Sequence, residues 1–274
     1  MSRIGPIGVF DSGYGGLTVL SEIVKQLPEY DYLYLGDNAR APYGTRSFEV
    51  VYEYTLEAVK ELFSRGCELV VIACNTSSAK ALRTIQQNDL PQIDSHKRVL
   101  GVIRPSAEVI GDLTKTGHVG ILATEGTVKS QSYLIELQKF SPSTKVVQHA
   151  CPMWVPLIEN NRHESEAGKL FIQEDIQQLL DKDPKIDVIV LGCTHYPILK
   201  QYIETIIPSS IQVLSQGKII AEKLRDYLKR HHELEKSCSK NGEIHFLTTE
   251  NSLDFDRKAS MFFGKTVVSE HIKF

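Results

Sequence analysis

Residues 68–79 read ELVVIACNTSSA, and this stretch decides the fold of the chain. Four apolar, mostly β-branched residues, Leu69–Ile72, lead into Cys74, and a helical pattern follows. A short apolar run that ends in a polar turn is typical of a buried parallel strand followed by a helix. We therefore predict a strand that stops at Cys74, with a hydroxyl residue of the segment 76–78 capping the next helix.

A second stretch repeats this design. Residues 187–199, DVIVLGCTHYPIL, again place an apolar run and a small residue before a cysteine, Cys193, at a strand-to-helix turn. Another pair of segments also matches, since HVGILA at 118–123 resembles PIGVF at 6–10. Two matched pairs in the same order indicate two related α/β halves, each with its cysteine at the end of a strand.

Strands alternate with helical patterns along the chain, which predicts parallel sheets. The predicted fold class is α/β, with two related doubly wound domains and an active site in the cleft between them. The pattern restarts at Gly117, and the second unit closes near Pro208. We therefore predict that residues 1–98 plus 209–274 form the first domain and residues 99–208 the second.

Three local predictions accompany this division. The amphipathic pattern of residues 48–65 predicts a helix that Gly66 closes. The polar segment 88–97 is predicted as a loop, and so is the apolar segment 151–159, which ends in the carboxylate Glu159.

The composition excludes several classes of protein. The 274 residues carry a formal net charge of −3, which leaves no electrostatic footprint for nucleic acid. The chain has no run of 18 apolar residues, and its first residues lack the apolar core of a signal peptide, so we predict no membrane partner. Five widely spaced cysteines without a CxxC pair suit reduced thiols. We predict a soluble cytoplasmic protein.

No standard cofactor or metal motif is present in the sequence. Thr18 stands where the glycine-rich turn 13–16 would need a third glycine to form a dinucleotide fingerprint. There is no Walker loop and no HExxH spacing, so we predict neither a cofactor nor a metal. The loop 39–46 holds proline, tyrosine, glycine and two arginines after a predicted strand, which favours ligand contacts.

The two matched cysteines suggest the chemistry. In an open α/β sheet the ligand site lies outside the carboxyl ends of the strands, so Cys74 and Cys193 would both project there. Each would lie near a helix N-terminus, which lowers the pKa of a thiol. Two thiols on opposite sides of one substrate suit removal of a proton from one face of a carbon and its return to the other. His195 and the carboxylates Asp11 and Glu159 could tune or relay these protons.

Simpler structural roles are open to several of these residues. Cysteine is often a small buried hydrophobe, and we interpret Cys67, Cys151 and Cys238 in this way. Turn formation, helix capping or ordinary packing could also account for Asp11, Ser12, Asn75, Thr76 and Tyr43. The matched placement of the other two cysteines is what favours a functional role for them.

These residues, in this order, resemble the glutamate racemase family within the aspartate/glutamate racemase superfamily. The resemblance extends to about residue 217 and is carried by residues 9–13 with 15–17, 37 with 42–44, 73–76, 124 with 127, and 191–197. The segment 150–159, with its glutamate, is also similar to the corresponding family segment.

The resemblance implies cofactor-independent interconversion of L- and D-glutamate, which supplies D-glutamate for peptidoglycan. It implies that one thiolate takes the α-proton while the other cysteine, as a thiol, protonates the opposite face. Cys74 would serve the D enantiomer and Cys193 the L enantiomer, with assistance from Asp11, Glu159 and His195. The implied substrate contacts are Asp11, Ser12, Tyr43, Gly44, Asn75, Thr76, Thr124, Thr127, Thr194 and His195.

The chain departs from the family pattern in two places, and neither concerns the thiols. Ala123 precedes Thr124 where glycine is common, and Ser215, Gln216 and Gly217 stand where an aspartate is common. These departures leave the packing between the domains open.

Other interpretations of the sequence remain open. An aspartate or other amino-acid racemase of the same superfamily would share the thiol pair. An amino-acid-binding protein without turnover would need no paired thiols, and a thiol redox protein would be expected to carry CxxC. The apolar segment 153–158 favours a homodimer, although the sequence leaves the oligomeric state open.

Overall fold

The computed structural model describes residues 4–274, which contain two parallel sheets. The strands of the first sheet are β1 Ile7–Asp11, β2 Tyr32–Gly36, β3 Leu69–Ile72, β4 Arg98–Gly101, β9 Ile244–Thr248 and β10 Ser269–His271. The strands of the second are β5 His118–Ala123, β6 Lys145–Ala150, β7 Val188–Gly192 and β8 Gln212–Leu214. Neighbouring strands pair in parallel throughout both sheets. The predicted α/β class with two parallel sheets is confirmed.

The two sheets share one strand order. The first contains β2–β1–β3–β4 and the second β6–β5–β7–β8, so each run of four strands has the same connectivity. Strands β1 and β5, which the sequence repeat matched, therefore occupy equivalent places, and so do β3 and β7. Strands β9 and β10 extend the first sheet beyond β2.

Sheet membership changes twice along the chain. The first sheet continues to Gly101, because β4 pairs with β3, and the second continues to Leu214, because β8 pairs with β7. Strand pairing assigns sheets rather than domain edges. The domain limits 1–98 plus 209–274 and 99–208 therefore stay a prediction.

Helices connect the strands. They are α1 Gly16–Gln26, α2 Phe48–Ser64, α3 Asn75–Lys80, α4 Leu82–Thr84, α5 Leu90–Ile93, α6 Ile103–Leu113, α7 Glu125–Ser130, α8 Ser132–Phe140, α9 Trp154–Glu159, α10 Glu166–Lys182, α11 Lys200–Ile206, α12 Gly217–Arg230, α13 His232–Lys236 and α14 Ser252–Phe263. Short 3₁₀ turns span Asn38–Arg40 and Tyr196–Leu199, and a π-helical turn spans Ile85–Asp89. No helix among the described residues is long and apolar enough to cross a membrane.

The predicted helix at 48–65 is confirmed as α2. Its first turn is capped by Ser47, whose Oγ accepts a hydrogen bond from Val50 N at 3.3 Å. Gly66 follows the helix with a φ of +96°, a backbone conformation that a residue with a Cβ rarely adopts.

Two predicted loops contain helix. Within 88–97 the chain continues through the π-helical turn into α5, because Leu90 is buried and Tyr52 Oη donates to the Asp89 carboxylate. Within 151–159, α9 forms because Trp154 and Ile158, one turn apart, are both buried. Polarity in the first segment and continuous hydrophobicity in the second obscured the helical period.

Candidate active site

The turns that follow strands of both sheets surround one cavity of about 110 Å³. Its walls come from the segments after β1, β2, β3, β5, β6 and β7, together with α9. Parallel strands present their carboxyl ends on one edge of a sheet, and this is why the fold gathers these segments. Cys74 and Cys193 both line the cavity.

Most residues that the sequence singled out line this cavity, namely Ser12, Tyr43, Gly44, Cys74, Asn75, Thr76, Thr124, Glu159, Cys193, Thr194 and His195. Asp11 and Thr127 are fully buried and make hydrogen bonds to lining residues instead.

Sequence analysis named no individual role for the other lining residues, which are Gly13, Ala41, Pro42, Thr45, Glu125, Cys151, Pro152, Val155 and Pro156. The loops 39–46 and 151–159 were the signals that could have found most of them. Cys151 is 1% exposed and belongs to the core, as interpreted, and it also borders the cavity.

Cys74 follows β3 and is the N-cap of α3, so the prediction that a hydroxyl residue of 76–78 caps this helix is wrong. Its Sγ accepts a hydrogen bond from Ser77 N at 3.4 Å and lies 3.5 Å from Ser12 Oγ. Burial, and next the Asp11 carboxylate, raise the pKa of this thiol to about 11 against the opposing hydrogen bonds. The expectation that the helix N-terminus would lower this pKa is therefore wrong, because desolvation disfavours the thiolate more than the helix favours it. Cys74 is a thiol at neutral pH.

Cys193 directly follows β7 and has an imidazole partner. Its Sγ lies 4.0 Å from His195 Nδ1, and His195 Nε2 lies 2.9 Å from Glu159 Oε1. Burial by itself would lower the pKa of His195, but hydrogen bonds and charge interactions with Cys193 and Glu159 raise it to about 10. His195 is therefore an imidazolium at neutral pH, placed to donate from both ring nitrogens.

Asp11 ends β1 and forms hydrogen bonds with residues near both thiols. Its Oδ1 accepts from Gly13 N at 2.9 Å, and its Oδ2 accepts from Thr194 Oγ1 at 3.2 Å. Complete burial raises the pKa of this carboxyl, while the charge of His195 and these hydrogen bonds oppose the rise. Asp11 thus acts on the cavity through its neighbours, since its charge raises the pKa of Cys74 and lies near His195.

Hydroxyl and backbone contacts join the two sides of the cavity. Thr76 Oγ1 lies 2.9 Å from Thr124 Oγ1, which in turn donates to Thr127 Oγ1 at 3.1 Å. Gly44 O accepts from Gly126 N at 2.8 Å. These contacts connect turns after β2 and β3 with the turn after β5, and therefore one sheet with the other.

Tyr43 and Asn75 are held from behind. Tyr43 Oη donates to the buried carboxylate of Asp37. Asn75 Oδ1 accepts from Tyr133 Oη at 2.8 Å, whereas its buried Nδ2 has no hydrogen-bond partner among the described residues. Since Asn75 lines the cavity, its amide nitrogen is a donor available to a ligand.

A second cluster, which shares Cys151 with the cavity lining, offers one ligand atom each from His149, Cys151 and Asp175, all within 4.8 Å of one another. His149 Nε2 lies 2.8 Å from Asp175 Oδ1, and His149 Nδ1 lies 3.1 Å from Lys182 Nζ. A lysine ammonium only donates, so Nδ1 accepts and Nε2 carries the proton that Asp175 accepts. A metal would need the Nε2 lone pair, and burial raises the pKa of Cys151 well above its ordinary value. The hydrogen bonding therefore favours a structural His–Asp pair over a metal site.

Paired thiols in one cavity, on a repeated α/β fold, agree with the family that the sequence resembles. Residues 7–224 match the model of the Asp/Glu/hydantoin racemase family. The chain belongs to this family. The predicted membership of a racemase family, and with it the prediction of an isomerase, is confirmed.

Individual members of the family show how closely the chain is related. It is 39% identical over 259 residues to the glutamate racemase of Geobacter metallireducens. This match covers 94% of this chain and 92% of that protein. The crystal structure of a Bacillus anthracis glutamate racemase matches with a TM-score of 0.89 at 33% identity and covers 98% of both chains. A Francisella tularensis glutamate racemase in complex with D-glutamate matches with a TM-score of 0.87 at 31% identity, covering 99% of this chain and 98% of that one.

Proposed function

We propose that this racemase interconverts L- and D-glutamate without a cofactor, by proton transfer involving Cys74 and Cys193. The observation that carries the proposal is that both thiols border one cavity but have different partners. Cys74 lies beside a hydroxyl and a carboxylate, while Cys193 lies beside an imidazolium. One thiol is therefore suited to donate a proton and the other to accept one.

The protonation states suit L-glutamate in the starting form. The His195 imidazolium faces Cys193 Sγ and stabilises a thiolate there. This thiolate takes the α-proton, forming an S–H bond as the Cα–H bond breaks. Cys74, a thiol, gives its proton to the opposite face of the α-carbon, which yields D-glutamate and a Cys74 thiolate. The reverse reaction runs from that second form, so Cys74 serves the D enantiomer.

The proposed roles of the remaining residues follow their positions. Asp11, Glu159 and His195 assist the thiols, with Asp11 acting from behind the cavity wall. The proposed substrate contacts are Asp11, Ser12, Tyr43, Gly44, Asn75, Thr76, Thr124, Thr127, Thr194 and His195. Asp11 and Thr127 would act through Thr194 and Thr124, to which they are hydrogen-bonded. Hydroxyl and amide donors around a small cavity suit a ligand with two carboxylates.

The substrate assignment rests on the relatives. Proteins named glutamate racemase match nearly the whole chain, and one of the similar structures holds D-glutamate. D-glutamate is a building block of peptidoglycan, so we propose that the enzyme supplies that synthesis. An aspartate racemase would use the same thiol pair, and direct substrate comparison separates the two.

The test is incubation of the purified protein with L-glutamate in D2O, without pyridoxal phosphate. Circular dichroism follows optical rotation, and NMR follows deuterium uptake at the α-carbon. We expect racemisation with deuterium uptake, and loss of racemisation in both Cys74→Ala and Cys193→Ala. Cys238→Ala is the matched control, because Cys238 is a buried free cysteine outside the cavity, and it should retain activity. Activity on aspartate alone would change the substrate, and inactivity on both would overturn the racemase proposal in favour of a binding protein.

We also propose a cytoplasmic location and a homodimer. All five cysteines are free, and the two in the proposed mechanism must stay reduced, which suits the cytoplasm. The apolar segment 153–158 gives less support to a dimer than its sequence indicated, since Trp154 and Ile158 are buried while Met153 is 41% exposed. Analytical ultracentrifugation of wild type and Met153→Glu measures the oligomeric state, and a monomer in both would contradict the dimer.

A further inference from the structure

A chain of three buried side chains leads from the interior to the cavity wall, and we call it the relay. It consists of Gln216, Tyr133 and Asn75, which are 4%, 0% and 2% exposed. Gln216 Nε2 lies 2.7 Å from Tyr133 Oη, and Tyr133 Oη lies 2.8 Å from Asn75 Oδ1. Only Asn75 of the three lines the cavity, where it adjoins Cys74.

A backbone carbonyl sets the direction of the hydrogen bonds in the relay. Ser106 Oγ lies 2.8 Å from Val102 O, which can only accept, so the serine hydroxyl proton points to that carbonyl. Ser106 Oγ must then accept from Gln216, whose Nε2 lies 2.7 Å away. The Gln216 amide nitrogen also lies 3.4 Å from Val102 O, which favours the same orientation.

The remaining bonds follow from this orientation. Because Gln216 presents its NH₂ group, Tyr133 Oη accepts from it and turns its own proton toward Asn75. That proton requires an acceptor, so Asn75 must present Oδ1 to Tyr133 and turn Nδ2 away. The Asn75 Nδ2 is buried and has no partner among the described residues, which leaves it as a donor for whatever enters the cavity.

We propose that Tyr133 and Gln216 are positioning residues that fix the Asn75 carboxamide with its NH₂ group directed at a carboxylate of the substrate. This inference rests on the proposed function, which supplies a dicarboxylate ligand. An asparagine amide can otherwise turn over and present its oxygen, which would repel a carboxylate. The relay prevents this rotation of the amide, although neither Tyr133 nor Gln216 lines the cavity.

The relay also explains where one departure from the family pattern acts. Gln216 lies in the segment 215–217, at the N-cap position of α12 and after β8, the last strand of the second sheet, and its side chain makes no hydrogen bond to that helix. Through Tyr133 on α8 it reaches Asn75 on α3, which follows β3 of the first sheet. The relay therefore ties the second half of the molecule to a cavity residue of the first.

Two substitutions test the relay in different ways. Tyr133→Phe removes the hydroxyl that holds Asn75 Oδ1. Gln216→Glu replaces the donor by a carboxylate that accepts the Tyr133 proton, so that Tyr133 can bond Asn75 only by accepting from Nδ2. Each should raise KM for L- and D-glutamate about tenfold, as expected for a misdirected hydrogen bond to a charged group, with kcat changed less than about threefold.

The matched control is Tyr32→Phe. Tyr32 is equally buried, and its hydroxyl donates to Leu27 O at 2.7 Å, outside the cavity. This variant should lose thermal stability to a similar extent as Tyr133→Phe but keep the wild-type KM. Thermal melts of all variants identify any that fail to fold, and the two relay substitutions then test the proposal independently.

A double-mutant cycle with Asn75→Ala decides whether the effect passes through Asn75. If it does, Tyr133→Phe should leave KM unchanged in the Asn75→Ala background. An equal rise of KM in both backgrounds, or an unchanged KM in both single relay variants, would overturn the relay. If the wild-type protein does not racemise glutamate and calorimetry detects no binding of glutamate, the proposed function is overturned and this inference with it.

Discussion

Nε2 of His195 lies 2.9 Å from Oε1 of Glu159, and this contact allows a buried imidazole to stay charged beside a thiol. His195 is 5% exposed, so desolvation alone would favour its neutral form. Interactions with Cys193 and with the carboxylate at the end of α9 compensate, and the pKa of His195 reaches about 10. The two thiols of the cavity consequently differ in the charge of their surroundings, which distinguishes the proton acceptor from the proton donor in the proposed reaction.

Glu159→Gln should lower the pKa of His195 without moving its ring, because the amide oxygen still accepts from Nε2. His195 then loses its second ring proton at a lower pH than in the wild type. We expect kcat for L-glutamate to fall at least about tenfold, and the alkaline limb of its pH–rate profile to move to lower pH. Steady-state kinetics from pH 6 to 10 in both directions measure this.

The exposed residue Glu164 provides the control for that experiment. Glu164→Gln removes the same charge outside the cavity and should leave the profile unchanged. Superimposable profiles for Glu159→Gln and wild type would contradict the assignment of Glu159 as the partner that keeps His195 charged.

The same pair predicts a pH dependence of stability. The ordinary pKa of 6.5 is raised to about 10 in the folded protein, so the stabilisation from His195 is complete below pH 6.5. As the pH rises from 6.5 to 10, the unfolded chain loses the proton first and the free energy of unfolding falls. The slope from this group is at most about 1.4 kcal/mol per pH unit. Urea denaturation across this range should show a shallower decline in His195→Gln, and parallel curves would contradict the prediction.

Buried thiols cause a second decline in the free energy of unfolding at higher pH. Burial raises the pKa of Cys67 from 9.0 to about 12, although Lys97 opposes the rise. Above pH 9 the unfolded thiol ionises while the folded one keeps its proton, so stability falls as the pH rises. Cys67→Ser should reduce the slope between pH 9 and 12 by up to about 1.4 kcal/mol per pH unit. The two proteins should share one slope between pH 7 and 8, and a shared slope above pH 9 as well would contradict the prediction.

Gly15 offers a steric test of the imidazole position. A Cβ at this residue would collide with Thr194 Oγ1 and with Nδ1 of His195. Gly15→Ala should therefore displace the imidazole from Cys193 and reduce kcat by about a hundredfold. The free energy of unfolding should change less than the free energy of activation. The control is Gly117→Ala, where the added methyl meets no atom within 4 Å and only the positive φ is strained. Gly117→Ala should cost about 1 kcal/mol of stability and keep wild-type kinetics. Unchanged kinetics in Gly15→Ala would show that the imidazole position tolerates the methyl group.

Local sequence predicted the framework of the site well. The apolar runs before Cys74 and Cys193 predicted β3 and β7, and the repeat around 6–10 and 118–123 predicted two related halves, which share one strand order in the structure. Both patterns succeed because buried parallel strands need continuous apolar residues and their carboxyl ends share an edge. Residues 88–93 and α9 were missed because polarity in the first segment and continuous hydrophobicity in the second hide the helical period. Contacts distant in sequence, of Tyr52 with Asp89 and of Tyr196 with Trp154, stabilise the two segments.

The sequence by itself determined that this protein has two related α/β halves, that a cysteine ends a strand in each, and which polar residues accompany them. These properties are local, because they depend on the spacing of apolar, capping and nucleophilic residues along the chain. Only the tertiary structure decided the charges within the site, through the pKa of Cys74 near 11 and that of His195 near 10. It also placed Gln216 and Tyr133 behind Asn75. Desolvation and hydrogen-bond direction depend on groups that are far apart in sequence, and for this reason no local pattern contains them.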